Sequence, residues 1–123
     1  MYNFTVVNVK INKPMQRPLG AEAAELIARR FLALSDPTRL RIVSLLYTQE
    51  EASVRELTEA LETSQQNVSK HLATLRDEGF VSRRKQGTSS IYAISDPSVL
   101  DLCERVCGGI EAQLAAAGKA LAG

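Results

Sequence analysis

Two helical patterns near the middle of the chain are separated by only two residues, Glu62 and Thr63. The first pattern begins with a capping box, in which Ser53 stands three residues before Glu56. The second begins at Ser64, whose hydroxyl suits the cap of a helix. A connection this short forces two helices to cross at a large angle, which is the geometry of a helix-turn-helix. This spacing constrains the fold more than any other feature of the sequence.

The second of these helices, in the stretch SQQNVSKHLATLRDEGF, has two contrasting faces. At about 100° per residue, Val68, Leu72 and Leu75 share one sector, which we expect to pack inward. The opposite face carries small or hydrogen-bonding side chains and one cation, whereas a merely solvated face usually carries Glu and Lys. Side chains of this kind pair with base edges in the major groove of DNA. We therefore predict a DNA-binding surface, which we call the polar face, formed by Gln65, Gln66, Asn67, Ser69 and Lys70.

His71 is the only histidine of the chain and follows Lys70 on the same helix. On a helical wheel it lies beside the apolar sector rather than opposite it. We predict a partly buried structural histidine, while a role as a ligand or a base contact stays open.

The stretch FVSRRKQGTSSIYAI comes next and predicts a β-hairpin with its turn at Gly87 and Thr88. Residues 65–95 carry five basic against two acidic side chains, although the whole chain has a net charge of only +1. A localised basic patch is typical of a nucleic-acid-binding protein, although charge alone is equally compatible with a solvated surface. The hairpin is predicted to contact DNA through Arg83, Arg84, Lys85, Gln86 and Thr88.

Three further helices are predicted outside the helix-turn-helix. The first covers residues 21–34, and the next starts with Ser35 as its cap and Pro37 in its first turn. The last starts with Asp96 as its cap and Pro97 at its first position. The predicted fold class is therefore mainly α (α+β). It is a winged helix-turn-helix with four helices, a two-stranded β-wing and a C-terminal dimerisation helix.

The beginning of the chain differs in composition from the rest. Residues 1–14 contain neither Ala nor Leu, and β-branched residues alternate there with polar ones, as in a strand. This segment is a flexible arm, an added edge strand, or sequence upstream of a true start at Met15, and the sequence leaves these three interpretations open. We predict an N-terminal arm at residues 1–20 and one DNA-binding and dimerisation domain at residues 21–123.

The two cysteines of the chain, Cys103 and Cys107, lie four residues apart and hence on one face of the last helix. They belong to a row of apolar residues spaced alternately three and four apart, which is typical of a helix-pairing seam. Free cysteines pack well in a seam as small hydrophobic residues. The alternative is a thiol site that is oxidised or binds zinc, cadmium, arsenite or copper(I), with further metal ligands from elsewhere. The seam consists of Leu100, Cys103, Cys107, Ile110, Leu114, Ala117 and Leu121.

Other classes of protein are disfavoured by what the sequence lacks. It contains no apolar run of 18 residues and no signal-peptide pattern, so we expect no membrane span and a cytoplasmic location. It contains no Gly-rich phosphate loop and no nucleophile–base pair, so an enzyme is not expected. A winged helix used only to bind another protein would fit the fold, but the basic hairpin and the polar face argue against it.

Three stretches resemble the ArsR/SmtB family of winged helix-turn-helix repressors, in the family's order: LSDPTRLRIVSLL, SQQNVSKHLATLRDEGFVSRRKQG and SSIYAIS. The resemblance covers about residues 21–112. It implies a homodimer that pairs through its first and last helices, binds an imperfect palindrome in operator DNA and is released by an inducer. It also implies DNA contacts by the hairpin from Arg83 to Thr88, and by Gln65, Gln66, Ser69 and Lys70.

The inducer sites known in that family are not preserved. The positions that match the cysteines of its arsenic-type site are Ser53, Arg55 and Thr58. At its zinc-type site in the last helix, only one of the matching residues is a metal-binding type, the aspartate. The matching positions are Asp96, Ser98, Gly109 and Ala112. Neither site carries over, so Cys103 and Cys107 remain the candidate metal or redox site, and a thiophilic metal ion is the only cofactor considered.

Overall fold

The computed structural model describes residues 18–119, which form five helices and one three-stranded antiparallel sheet. The sheet has the order β1-β3-β2. No helix in this part of the chain is long and apolar enough to cross a membrane. The elements are α1 (Ala21–Leu34), α2 (Pro37–Gln49), β1 (Glu51–Ser53), α3 (Val54–Leu61), α4 (Gln65–Asp77), β2 (Val81–Gln86), β3 (Ser89–Ile94) and α5 (Ser98–Ala116).

This architecture confirms the predicted winged helix-turn-helix, but the sheet has a third strand, β1, besides the two predicted for the wing. β1 pairs with β3 and places Ala52, which is fully buried, opposite Tyr92. A strand of three residues is too short to show alternation of apolar and polar residues, so its sequence carries no signal. We use "the wing" for the hairpin of β2 and β3, which β1 joins to the body of the domain.

The hydrophobic core lies where α2, α3 and α4 meet the sheet. Val68, Leu72 and Leu75 of α4 are completely buried, as the helical wheel predicted. They pack with Leu57 of α3 and Leu46 of α2 in one cluster. Because these three helices share one core, the inner side of α4 is fixed and its opposite side faces outward.

The start of α2 corrects one predicted cap. Asp36, not Ser35, is the cap residue, and its carboxylate accepts a hydrogen bond from the backbone N–H of Arg39 at 3.0 Å. The Ser35 hydroxyl instead donates to the carbonyl of Leu32 at 2.8 Å and closes the end of α1. Two hydrogen-bonding residues in a row left the cap ambiguous in the sequence.

The predicted caps of α3 and α4 are present in the structure, whereas that of α5 is not. Ser53 and Glu56 exchange both bonds of the capping box, at 3.1 and 3.0 Å. The hydroxyl of Ser64 accepts from the third residue of α4 at 3.0 Å. α5 begins at Ser98, one residue later than predicted, so its cap residue is Pro97 and not Asp96. The Asp96 carboxylate lies just before the helix and accepts from both the backbone N–H and the hydroxyl of Ser98.

α5 contributes little to the core of its own chain. Val99 is its only buried residue, and Leu100, Leu102 and Cys103 pack partly against the core. Farther along the seam, Cys107, Ile110 and Ala117 are exposed and Leu114 is half-buried, while Leu121 lies outside the described residues. α1 also exposes apolar side chains, at Leu26, Ile27, Phe31 and Leu32.

The N-terminal arm can be compared with the structure only at its end. Residues 18–20 are exposed and precede α1 without regular secondary structure. The strand-like pattern of residues 1–14 lies outside the described residues. The domain boundary between residues 20 and 21 stays a prediction.

The short turn between α3 and α4 depends on a left-handed residue. Glu62 has φ 53° and ψ 45°, a conformation that costs an L-residue roughly 1–2 kcal/mol. We expect Glu62→Gly to raise the free energy of unfolding by about 0.5–1 kcal/mol, because relief of this strain exceeds the added entropy of the unfolded chain. Urea unfolding measures the change. Glu59→Gly, inside α3, is the matched control and should lower stability by about 1 kcal/mol; equal losses in both variants would contradict the expectation.

Candidate nucleic-acid interface

The polar face of α4 is open to solvent. Gln65, Gln66, Ser69 and Lys70 are all exposed and lie opposite the buried sector of the same helix. Asn67 differs, because it is half-buried and its amide donates to the Thr63 hydroxyl at 3.1 Å. Asn67 therefore ties α4 to the turn before it, and its predicted DNA contact remains a prediction.

A cleft of about 610 Å³ separates α4 from the wing. One wall is a row along α4 that runs from Gln65 through Ser69 to Ala73. The wing supplies Thr88 and two neighbouring serines, and the start of α3 closes the end. Backbone and hydroxyl groups therefore surround a space that opens toward the exposed side of α4.

Three arginines from three elements line this cleft: Arg55 from α3, Arg76 from α4 and Arg83 from β2. The sequence analysis predicted Arg83 alone. Arg76 carried a detectable signal, because it continues the helical row from Gln65 and Ser69 with a spacing of seven from the latter. The position of Arg55 follows only from the crossing of α3 with α4, which the sequence does not specify in detail.

The two central arginines of the wing lie on opposite faces of β2, as alternation in a strand requires. Arg83 pairs with the buried Tyr92 and lines the cleft. Arg84 pairs with Ile91, and its guanidinium donates to the carboxylate of Glu51 on β1 at 2.8 Å. It also donates to the side-chain oxygen of Gln86 at 2.8 Å. The structure therefore does not bring Arg84 and Gln86 to the cleft, although both were predicted to contact DNA.

The turn at the tip of the wing lies at Gly87 and Thr88, where the sequence predicted it. Lys85 is exposed on the same face of β2 as Arg83, and its partner Ser90 lines the cleft. The turn consists of Gly87 and Thr88, and Gly87 has a φ of 62°. Positive φ at the first residue of a two-residue turn is typical of a type II′ hairpin, whose twist suits the flanking strands.

His71 lies on the side of α4 that faces α2. Its ring is 12% exposed, and Nδ1 is 3.1 Å from the Arg39 guanidinium. The burial confirms the prediction of a partly buried histidine. The ring belongs to the packing of α4 on α2 and is absent from the lining of the cleft.

The two thiols have different surroundings. Cys103 is half-buried and Cys107 is exposed, and both are free. Burial raises the pKa of the Cys103 thiol, and the neighbouring Cys107 raises it further. The raised pKa leaves less of the reactive thiolate at Cys103. Cys107 is the more exposed of the two thiols and hence the more accessible to a reagent in solution. Within residues 18–119, no three His, Cys, Asp or Glu side chains gather as a metal site.

The surviving aspartate of the zinc-type site is occupied by other groups. The Asp96 carboxylate accepts both Ser98 bonds and a bond from the Arg30 guanidinium at 3.3 Å. The Ser98 bonds, followed by the charge of Arg30, lower the pKa of Asp96. A lowered folded-state pKa stabilises the fold above the unfolded value of about 3.9 and loses that effect as the pH falls through the folded value. Asp96 thus holds Ser98 at the start of α5 and pairs with Arg30 in this chain.

Comparisons with known proteins agree with this geometry. A sequence model described as "Bacterial regulatory protein, arsR family" matches residues 36–83, which run from α2 into the wing. The probable mercury resistance operon repressor of Streptomyces lividans is 44% identical over 75 residues, which span 61% of this chain and 59% of that protein. The transcriptional repressor SmtB homolog of Synechocystis sp. is 32% identical over 93 residues, which span 76% of this chain and 70% of that protein.

Among solved structures, the AntR antimony-specific transcriptional repressor matches with a TM-score of 0.72 and 30% identity. The match covers 82% of this chain and 94% of that one. A second match, HlyU from Vibrio cholerae, has a TM-score of 0.63 and 32% identity over 71% of this chain and 94% of that one. From the winged helix-turn-helix and these similarities together it follows that the chain belongs to the arsR family of bacterial regulatory proteins and is a DNA-binding transcriptional regulator, not an enzyme.

Proposed function

We propose that the protein is a homodimeric repressor that binds palindromic operator DNA and is released by a thiophilic agent acting at Cys103 and Cys107. The observation that carries the DNA-binding part is the cleft between α4 and the wing, into which Arg55, Arg76 and Arg83 face. Relatives named as repressors support repression, whereas HlyU of Vibrio cholerae is named as a transcriptional activator.

The cleft suits the DNA backbone beside the groove that α4 enters. Phosphate oxygens prefer the planar, multiply donating guanidinium of arginine, and serine and threonine hydroxyls donate to them as well. The cleft offers three guanidiniums with Ser69 and Thr88. We assign phosphate contacts to these groups and to Lys85. Gln66 and Lys70, on the side of α4 away from the cleft lining, are assigned to base edges.

Arg84 and Gln86 take a different role in this proposal. Their side chains bond to each other, and Arg84 is also paired with Glu51 of β1. The pairing alone does not decide this, because Arg55 in the cleft also donates to a carboxylate, that of Glu59, at 3.3 Å. What distinguishes Arg84 is its position on the face of β2 away from the cleft lining. We propose that these two residues fix the wing on β1 and contact DNA weakly or not at all.

The dimer is proposed to form through α1 and α5. Both helices expose apolar side chains within one chain, and a shallow apolar groove of about 150 Å³ lies between them. This groove is lined by Ile27, Phe31, Leu34, Val99 and Leu102, among others. Only Val99 among the 19 residues of α5 is buried. Because most of the stability of a helix in a protein comes from the packing of an apolar face, α5 would gain stability from a partner. The predicted seam on α5 supplies the pairing surface.

The spacing of Cys103 and Cys107 suits some thiol reactions and metal ions better than others. Side chains four apart on a helix have Cβ atoms about 5–6 Å apart, whereas a disulfide needs about 3.5–4.5 Å, so oxidation within one helix would require it to unwind. Zinc takes four ligands, and two of them would have to come from the partner chain. A soft cation that binds two thiolates in a line, such as Hg²⁺, needs no further ligand. Ligand binding at the seam would shift the pairing of α5 and hence the spacing of the two α4 helices.

If the arginines of the cleft contact phosphates, their removal should weaken DNA binding, whereas removal of Arg84 should not change its dependence on salt. Arg76→Ala and Arg83→Ala should each weaken binding to every duplex sequence and reduce the slope of affinity against salt by about one phosphate contact. Arg84→Ala is the matched control on the same strand and should leave the slope unchanged. Fluorescence titration of a random duplex at several salt concentrations gives these slopes. A parent protein whose binding does not weaken with salt would overturn DNA binding and favour a protein-interaction module.

If the thiols bind the inducer, a variant that lacks both of them should stay bound to DNA when a thiophilic agent is added. We expect the double variant Cys103→Ser, Cys107→Ser to dimerise and to bind the duplex that the parent enriches from a random pool. Hg²⁺, arsenite, Zn²⁺ and the thiol oxidant diamide are added in turn to each preformed complex under reducing conditions, with the reductant omitted for diamide. At least one should release the parent but not the variant. Equal release of both, or release of neither, would assign induction to another ligand or partner and leave the cysteines as packing residues.

A further inference from the structure

A single guanidinium joins three helices on the inner side of the DNA-binding unit. Arg39, in the first turn of α2, donates through Nε to the carbonyl of Ala33 and through Nη2 to the carbonyl of Leu32 at 3.3 Å. Its Nη1 lies 3.1 Å from Nδ1 of His71 on α4. The end of α1, the start of α2 and the middle of α4 therefore meet at one side chain.

The chemistry of these contacts fixes their direction. The last carbonyls of a helix have no partner one turn farther along the helix, and that of Ala33 accepts from Arg39. The carbonyl of Leu32 accepts from Ser35 as well as from Arg39. A guanidinium has only donors, so in its contact with Arg39 the Nδ1 atom of His71 is the acceptor. The Asp36 carboxylate lies 3.8 Å from the same nitrogen. Arg39 is itself held in place, because its backbone N–H donates to Asp36. That bond, followed by the nearby charges of His71 and Arg39, lowers the pKa of the Asp36 carboxyl.

His71 is well placed to set the rotation of α4 about its axis. It lies between Lys70 of the polar face and Leu72 of the core. The buried sector of α4 sets which side faces outward, and a bond to the ring of His71 adds a polar link that ties this orientation to the end of α1. Among the described residues, a second polar contact joins α1 to the end of α4. It is the ion pair between Arg29 and Glu78 at 3.1 Å, in which the arginine side chain is 65% exposed. Exposed pairs of this kind contribute little.

We propose that Arg39 is a positioning residue for DNA recognition, which acts through His71 to hold α4 at a fixed orientation relative to the dimer helix α1. The inference rests on the proposed function, because α1 is taken there as part of the dimer interface. In a dimer, the orientation of α4 relative to α1 sets the distance and angle between the two polar faces. A palindrome is recognised only if that spacing matches its half-sites.

The test measures discrimination between two spacings rather than affinity alone. The probes are the palindromic duplex that the parent enriches from a random pool, a copy with one base pair inserted at its centre, and a random duplex of the same length. The parent should prefer the first over the second by about tenfold or more, a coupling in the range common for linked sites. Arg39→Ala and His71→Leu should reduce the preference to less than about threefold and leave random-duplex binding unchanged.

Two variants separate positioning from general damage. His71→Gln keeps an acceptor for Arg39 and should retain the parent's preference, while Arg41→Ala removes an exposed arginine of the same helix and should change nothing. Should Arg39→Ala fail to fold in a thermal melt, His71→Leu carries the test, because leucine fills the site without the bond. Full preference in His71→Leu would overturn the inference. A parent that enriches no palindrome would instead overturn the proposed function.

Discussion

Ile110→Asp is expected to convert the protein into a monomer that no longer binds its operator tightly. Ile110 is 43% exposed in the single chain and lies on the seam of α5 one turn from Cys107 and Leu114. In the proposed dimer the new carboxylate would be buried without a partner, at a cost of several kcal/mol. Each monomer retains one α4, so it can occupy only one half-site and loses the gain from joining two binding events, about 100-fold or more.

Mass and DNA binding are measured together for this prediction. Light scattering should give twice the 13.4 kDa chain mass for the parent and one chain mass for the variant. Ala112→Asp is the matched control, because Ala112 lies on the opposite side of α5 and a charge there stays in solvent. A parent that scatters as one chain at micromolar concentration would refute the dimer. A monomeric variant with unchanged operator affinity would show that pairing does not matter for recognition.

Gln66→Ala and Lys70→Ala are expected to reduce preference for the operator, each by about 1–3 kcal/mol, the usual value of a base-edge contact. Both residues are exposed, four apart and opposite the buried sector of α4. Neither lines the cleft, where the row through Gln65 and Ser69 runs. In the proposed complex these two side chains contact the bases, while the residues of the cleft contact the DNA backbone.

Competition between the enriched duplex and a random duplex measures this preference. The Gln66 variant should lose specific affinity and keep its random-duplex affinity, whereas Arg83→Ala should weaken both equally. Gln113→Ala, an exposed glutamine on α5, is the control of matched residue type. If both α4 variants kept the parent's preference, the assignment of base contacts to this face would be wrong.

The sequence predicted those parts of the structure that local physics determines. The periodicity of Val68, Leu72 and Leu75 fixed the inner side of α4, and the capping box fixed the start of α3. The hairpin and its turn followed from alternation and from Gly87. In each case, residues close in the chain carried all the necessary information.

The sequence did not predict what depends on packing between distant segments. Alternation placed Arg83 and Arg84 on opposite faces, but only the packing of the sheet decides which face meets α4. The pairing of Arg84 with Glu51 joins residues 33 apart and required the unpredicted β1. Arg55 reached the cleft in the same way, through the crossing of α3 and α4.

The third strand has a consequence for the thermodynamics of association. A lone two-stranded hairpin is marginally stable in water and would lose much conformational freedom on meeting DNA. Here β1 pairs with β3 and anchors the wing through Ala52 and through the Arg84–Glu51 contact. The ordering entropy of the wing is therefore lost when the domain folds, before any DNA arrives. Binding then proceeds with a preorganised surface, and a loosened β1 would weaken DNA affinity without removing a single contact to phosphate.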